Sequence, residues 1–203
     1  MEKNNKKTLF KGLVALTTVA SSAAAINALT SKLAKALIYR HHKEDDRPSI
    51  LESRMKSKNI YIKNSQGVKL RGILIKEDNA NRTLVILHPF GLEGKDMSLY
   101  VPFFKDHLDN TNILLIDACA HGQSDGYIRG MGIKDVNDLQ EWNRYLLDKY
   151  GNDHEIVLYG KEMGANTILN AAGKHKLKNV KAIISDGAYT SAYDILGYRI
   201  VKD

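Results

Sequence analysis

The chain of 203 residues contains a single cysteine, Cys119, so an internal disulfide is excluded and the redox compartment stays undecided. Its seven histidines never fall into a His-x-x-x-His or Cys-pair spacing, so a metal-ligand pattern is absent. We therefore predict neither a metal nor a cofactor. Internal repeats and low-complexity tracts are absent as well. The length is enough for one domain with a good core.

The chain is basic, with 30 Lys and Arg against 23 Asp and Glu, a net charge of +7. Such a balance can indicate nucleic acid or an anionic membrane surface as a partner. The lysines are scattered along the chain, however, and no aromatic residues interleave with them. We therefore predict no nucleic-acid partner, and we assign the charge to solvated surface and to a membrane-proximal segment.

The N-terminal region has an uncharged stretch over residues 12–31, preceded by lysines at positions 3, 6, 7 and 11. A basic start followed by an apolar run is typical of secretory signals and signal anchors, and about 20 residues can span a bilayer. Three alternatives stay open: an uncleaved anchor, a signal cleaved near residues 23–25, and a packed or surface-lying helix. We predict a signal-anchor or transmembrane-like helix over residues 1–41, with membrane attachment and the following domain outside the cell.

Residues 42–58 are charged and include Pro48, which predicts a linker. Alternation at 60–62 and 68–75, around residues 64–67, predicts a β-hairpin. Beyond it, near-continuous apolar runs alternate with helical stretches. The predicted strands are 83–87, 112–116, 156–159 and 180–184, and the predicted helices are 96–108, 134–149 and 163–173. This alternation predicts a mostly parallel sheet covered on both faces.

The most informative motif is Gly-Lys-Glu-Met-Gly at residues 160–164, between the third of these strands and a helical run. The spacing is that of the nucleophile elbow Gly-x-Ser-x-Gly, in which a sharp strand-to-helix turn holds a serine hydroxyl above the sheet. Gly160 and Gly164 fill the glycine positions, because backbone crowds such a turn. The position of the nucleophile is occupied by Glu162.

Four landmarks in order make the chain similar to the α/β-hydrolase family, over roughly residues 58–203. They lie around the elbow: Val-Ile-Leu-His-Pro-Phe-Gly at 85–91, the strand and loop at 114–126, Gly-Met-Gly at 130–132 followed by Asp135, Asp138 and Trp142, and Ser-Asp-Gly-Ala-Tyr-Thr-Ser at 185–191. The resemblance is closest to small bacterial serine-hydrolase-like members with an N-terminal hydrophobic segment. It implies an α/β-hydrolase sheet with flanking helices over residues 59–203, incomplete on its C-terminal side.

In the family the catalytic acid and histidine follow the nucleophile along the chain. We expect both to be missing here, since the chain stops at Asp203. Glu162 then has three interpretations: a carboxylate nucleophile, a ligand-binding carboxylate, or a residue at an inactive site. The resemblance implies a relative of serine esterases, lipases or peptidases with impaired catalysis. The alternatives are a non-catalytic binding or scaffold module, and a hydrolase completed in trans by a second polypeptide.

The resemblance also assigns roles to residues near the elbow. The backbone N–H groups of Phe90 and Met163 correspond to the oxyanion-hole donors, although Pro89 replaces a family glycine. His88 and His121 correspond to histidines that organise loops. We expect the same structural role for Asp117 and Asp125, an inert hydroxyl at Ser124, and no triad role for Asp186, which lies too early in the chain.

The predicted truncation has a consequence for association. A parallel sheet that ends after the strand at 180–184 leaves an open edge, and exposed edges and apolar patches favour association. We therefore expect a homo-oligomer or a partner that covers this edge.

Overall fold

The computed structural model of the chain describes residues 25–32, 35–36, 38–39, 55–174 and 177–191. The chain divides into two units, Met1–His41 and His42–Asp203. In the first unit, residues 25–32 are helical and exposed. No helix within the described residues is both long and apolar enough to cross a membrane. Most of the uncharged stretch 12–31 lies outside the described residues, so membrane attachment stays a prediction.

The described part of the second unit, from residue 55 onward, contains the predicted β-hairpin. Strand β1 covers Ser57–Lys63 and strand β2 covers Lys69–Ile75, paired antiparallel. Asn64 forms the turn, because its side-chain Oδ1 accepts hydrogen bonds from the Gln66 and Val68 N–H groups at 3.0 and 2.9 Å. Gly67 completes the turn at φ +78°, a conformation that glycine adopts without strain.

Within the described residues, the sheet has six strands in the order β1-β2-β4-β3-β5-β6. The remaining strands are β3 (Arg82–Leu87), β4 (Thr111–Ile116), β5 (Glu155–Lys161) and β6 (Val180–Asp186). Strands β3 to β6 pair in parallel, and β2 joins them antiparallel through β4. The prediction of a mostly parallel sheet is therefore confirmed.

Helices connect the parallel strands. A 3-10 helix over Gly94–Tyr100 leads into α1 (Val101–His107), and the later crossovers contain α2 (Asp135–Tyr150) and α3 (Met163–Lys174). The prediction of one continuous helix over 96–108 is wrong in this detail. Pro102 lies in the first turn of α1, because its ring would clash with the carbonyl four residues earlier if an α-helix continued through it.

Two apolar clusters lie on opposite faces of the sheet, since successive strand residues point to opposite sides. On one face, α2 and α3 pack Trp142, Leu139 and Ile168 against strand residues such as Val85 and Leu114. On the other face, the 3-10 helix and α1 contribute Met97, Val101 and Phe104, which pack on strand residues such as Ile86 and Leu115. The central strands β3 and β4 are thereby buried on both sides.

The two edge strands differ in character. Strand β1 carries the exposed lysines Lys58 and Lys63, beside Lys56. Strand β6 is exposed along its middle, where Ile183 and Ile184 point to opposite faces and are 37% and 42% exposed. One edge is therefore charged and the other is apolar.

Candidate functional site

The elbow is present as a strand-turn-helix. Strand β5 ends at Lys161, Glu162 adopts φ +47°, and α3 begins at Met163. A positive φ is uncommon for a residue other than glycine and costs about 1–3 kcal/mol, so it persists only where the surroundings enforce it. Here the Glu162 N–H donates to the Asp186 carbonyl at 2.8 Å, and the Glu162 carbonyl accepts from the Asn166 N–H at 3.0 Å.

Neighbouring backbone atoms lie so close to both elbow glycines that neither position has room for a side chain. A Cβ atom at Gly160 would stand 2.4 Å from the carbonyl carbon and oxygen of Gly164. A Cβ atom at Gly164 would stand 2.4 Å from the carbonyl oxygen of Leu87, in the neighbouring strand β3. The close approach of strand, turn and helix therefore explains the motif of Gly160 and Gly164 around Glu162.

Asp186 ends strand β6 next to the elbow, and its side chain is held by two partners. Its Oδ2 accepts from Lys161 Nζ and from the Tyr159 hydroxyl, each at 2.8 Å. The hydrogen bond from Lys161 lowers the pKa of Asp186, and the Tyr159 bond adds to the effect. Burial, together with this bond, raises the pKa of Tyr159. The carboxylate of Asp186 is thus hydrogen-bonded to two side chains of β5.

Phe90 and Met163, the predicted oxyanion-hole residues, reach the same end of the sheet. Leu87 of β3 pairs with Gly160 of β5, so the segments after both strands leave the sheet side by side. Met163 is buried at the start of α3, whereas Phe90 is half-buried in a turn in which the Leu92 N–H donates to the Pro89 carbonyl at 3.3 Å.

His88 is buried, and both of its ring nitrogens have backbone partners. The Ala118 N–H donates to Nε2 at 3.1 Å, so the ring proton resides on Nδ1, which donates to the Pro89 carbonyl at 2.7 Å. Burial lowers the pKa of His88, which favours this neutral ring. The ring joins the loops that follow β3 and β4.

His121 lies beside His88, with the ring centroids 5.0 Å apart. Its Nδ1 faces the Cys119 carbonyl at 3.0 Å, which places a proton on that nitrogen. The Phe90 ring meets His121 edge-on at 5.8 Å, and the Arg129 guanidinium lies 5.2 Å from the Phe90 ring. Aromatic and cationic groups therefore line the loops around the elbow.

Asp117 is a hub of the loop after β4. Its carboxylate accepts from the Gly94 N–H at 2.7 Å, from the Gln123 N–H at 2.9 Å and from Arg71 at 3.2 Å. Ser124 is drawn into the same network, because its hydroxyl donates to the Asp117 carbonyl and accepts from the Arg71 N–H. Asp125 contributes through its backbone. Its N–H donates a hydrogen bond to the Lys69 carbonyl, and its carbonyl accepts one from the Ala120 N–H.

Sequence reasoning missed Arg71, which is 4% exposed in a strand that is otherwise apolar after Lys69. A lone arginine within Leu70–Ile75 was the available signal, because a buried guanidinium requires an acidic partner. The sequence placed Asp135 on the helix that leads to the elbow strand, but it did not predict that this carboxyl is buried at the start of α2. Burial raises the pKa of Asp135 to about 6.

A family profile described as the alpha/beta hydrolase fold matches residues 82–201. Among curated proteins, the chain is 26% identical over 158 residues to the uncharacterized protein YqkD of Bacillus subtilis strain 168. That alignment covers 77% of this chain and 51% of YqkD, so the chain spans about half the length of the curated relative it matches.

Solved structures of two esterases share the fold. The Pyrococcus furiosus esterase Pf2001 superimposes with a TM-score of 0.67 at 23% identity, covering 80% of this chain and 64% of that one. The esterase EaEST from Exiguobacterium antarcticum gives a TM-score of 0.57 at 20% identity, covering 71% and 55%. At these identities the likeness concerns the path of the backbone.

Proposed function

Since the chain belongs to the α/β-hydrolase fold family, we propose that it is a relative of the esterases that has lost serine-type ester hydrolysis. The observation that carries this proposal is Glu162, which occupies the strained elbow position at φ +47° where an acyl-transfer enzyme holds a hydroxyl nucleophile. The elbow is retained and its reactive group is replaced.

The electrostatics of the elbow support the loss of activity. Acyl transfer places negative charge on the substrate carbonyl oxygen, and N–H donors aimed at that oxygen stabilise the transition state. The corresponding donor follows Glu162 directly, at Met163. A carboxylate next to that donor repels the developing charge. The same carboxylate suits a ligand that carries a hydrogen-bond donor or a positive charge.

The geometry of His88 supports the same conclusion. A general base for a nucleophile needs an available ring nitrogen within hydrogen-bond reach of it. In His88, Nε2 accepts from the Ala118 N–H and Nδ1 donates to the Pro89 carbonyl. The ring is therefore held for loop structure, and proton abstraction would break a buried hydrogen bond.

The test is hydrolysis of short acyl esters by the full-length chain. We expect wild type, Glu162→Ala and Glu162→Gln to give the same rate as a buffer blank. Turnover by wild type that disappears in Glu162→Ala and Glu162→Gln would overturn the proposal and identify Glu162 as a carboxylate nucleophile. Turnover that persists in both variants would overturn it as well, by placing the chemistry elsewhere in the chain.

A second candidate function, a binding or scaffold module, is favoured by strand β6. Its residues Lys181 to Ser185 are exposed, although parallel strands are normally covered on both faces. Beside it lies a groove between β6 and α1, lined by Phe103, Phe104, His107, Leu108, Val157, Ala182 and Ile184, with Arg82 and Lys181 among its lining residues. In this candidate the β6 edge receives another polypeptide, which in a hydrolase completed in trans would also bring the acid and the histidine.

Light scattering on the full-length chain tests this candidate. We expect self-association that Ile184→Glu weakens, because the charge would enter the apolar groove. The matched control is Ile133→Glu, at another exposed isoleucine outside the groove, which should leave the mass unchanged. A monodisperse wild-type monomer would contradict association through copies of the chain. Equal weakening by both variants would assign the association to general surface apolarity.

A further inference from the structure

Behind the elbow, a small cavity lies where α2 and α3 meet the carboxyl ends of β3 and β4. Its lining includes Asp135, Asp138 and Trp142 of α2 and Met163, Gly164 and Thr167 of α3. Its volume is about 10 Å³, close to the smallest space that accommodates one water molecule.

Two residues of this lining each carry a fully buried polar atom that has no hydrogen-bond partner among the described residues: Oδ1 of Asp135 and Nε1 of Trp142. The residues are 4% and 0% exposed, and each unsatisfied atom of this kind costs about 1–3 kcal/mol. One atom is an acceptor and the other is a donor. A water molecule complements both, because it donates to one and accepts from the other.

The charges around Asp135 leave it without a cation. Asp138, on the same helix, accepts from Asn64 Nδ2 at 2.8 Å and contributes a second buried carboxyl. His88, which follows β3, and Asp117, which follows β4, also line the cavity. The Asp117 carboxylate already forms an ion pair with Arg71. Lysine and arginine side chains are absent from the described lining.

We propose that this cavity is an internal hydration site in which one ordered water bridges Asp135 and Trp142, and that the Asp135 carboxyl binds a proton there in mildly acidic solution. The hydration site is argued from geometry, since Asp135 and Trp142 line the same water-sized space and each has one buried polar atom without a partner among the described residues. Proton binding by Asp135 is argued from its surroundings, because the described cavity lining contains no lysine or arginine to stabilise the ionised carboxylate. Burial raises the pKa of Asp135 to about 6, and the Asp138 carboxyl contributes in the same direction, against a hydrogen bond from Gly132.

The site is connected to the elbow through Gly132. The Gly132 N–H donates to Asp135 Oδ2 at 2.7 Å, and the Gly132 carbonyl accepts from Asn170 of α3 at 3.1 Å. A Cβ atom at Gly132 would stand 3.0 Å from the Met163 carbonyl oxygen. Ionisation of Asp135 therefore acts on the loop that packs against the first turn of the elbow helix.

Trp142 makes the site observable, because it is the only tryptophan in the chain. We expect the fluorescence emission of the full-length chain to shift sigmoidally with pH, with a midpoint near 6. The shift should be lost in Asp135→Asn, which keeps the shape of the side chain and an acceptor for the Gly132 N–H. It should remain in Asp148→Asn, which removes the same charge from an exposed position of the same helix.

A flat titration in wild type, or a transition near pH 6 that survives unchanged in Asp135→Asn, would overturn proton binding by Asp135. If Asp135→Asn does not fold, infrared spectra of wild type decide the question, because a protonated carboxyl has its own C=O band. That band should disappear as pH rises through about 6, and its absence at pH 5 would refute the proposal. A high-resolution crystal structure tests the water, and an empty cavity would contradict the bridging role.

Discussion

The Cα atom of Gly164 lies so close to Leu87 that a Cβ atom at position 164 would stand 2.4 Å from the Leu87 carbonyl oxygen. This contact joins the first turn of α3 to the end of β3, two elements that come from different parts of the chain. A backbone carbonyl in a central strand cannot move aside as the end of a flexible side chain can.

We therefore predict that Gly164→Ala lowers the free energy of unfolding by about 3 kcal/mol or more, because strand and helix must separate to admit the methyl group. Gly173→Ala is the matched control on the same helix, since a Cβ atom there meets nothing within 4 Å. It should stabilise the protein by about 0.5–1 kcal/mol through helix propensity. Urea unfolding of both variants measures this, and equal effects would contradict the contact.

Asp117 offers a second prediction, about a buried ion pair. Asp117→Ala leaves the buried Arg71 guanidinium with the more distant Glu93 carboxylate, 3.9 Å away, and removes the acceptor for the N–H groups of Gly94 and Gln123. Breaking a buried pair costs about 3–5 kcal/mol when the remaining charge has no other partner, so we expect a loss of about 3 kcal/mol here, because Glu93 still faces Arg71. Glu155→Ala, which removes the part-exposed partner of Arg82, should change stability little. Thermal melts of the two variants compare them, and similar melting temperatures would show that Asp117 is dispensable.

Glu162→Ser supplies a third prediction, because it restores the Gly-x-Ser-x-Gly motif. We expect the variant to fold and to remain unlabelled by a fluorophosphonate probe, since an elbow serine without a base retains only residual reactivity. The control is an active serine esterase treated in parallel. Labelling of the variant at a comparable rate would show that a histidine, such as His88 or His121, serves as its base.

The pH dependence of stability gives a fourth prediction. The pKa of Asp135 is raised from 3.8 to about 6, so its stabilising contribution is complete below pH 3.8 and is lost as pH rises through 6. Asp135→Asn should therefore be more stable than wild type above pH 6, by roughly 3 kcal/mol at most, and similar to it in acid. Burial also raises the pKa of Asp138, so part of the slope persists in the variant. Urea unfolding at several pH values measures the difference, and a variant less stable than wild type at neutral pH would contradict it.

The N-terminal stretch gives a fifth prediction. Because residues 12–31 carry no charge, we expect the full-length chain to pellet with membranes and to resist extraction by high salt. Deletion of residues 1–40 should release it. Recovery of the full-length chain in the supernatant would favour a packed or surface-lying helix.

Local patterns predicted most of the fold. The alternation around Asn64 indicated the hairpin, and the apolar runs indicated the parallel strands, because both depend on neighbours in the sequence. The break before Val101 was missed, since residues 96–108 keep a helical period while Pro102 interrupts the hydrogen bonding. The elbow was located from Gly160 and Gly164 together with the apolar run before them and the helical run after them.

The polar interior could not be predicted in the same way. Arg71 and Asp117 lie 46 residues apart and meet only because β2 pairs with β4. Asp135 and Trp142 share one face of α2, as their spacing allows, but the gap beside them depends on how α3 and the sheet pack. Such contacts between distant parts of the chain depend on the tertiary structure, so the spacing of residues in the sequence does not predict them.

If copies of the chain associate through strand β6, as proposed above, the difference between the two edges of the described sheet limits the size of the assembly. Two copies joined through their β6 strands would both turn β1 outward, where Lys58 and Lys63 discourage further strand addition. Growth by strand pairing would therefore end at two molecules, and an unbounded fibre would require an interface other than the sheet edges.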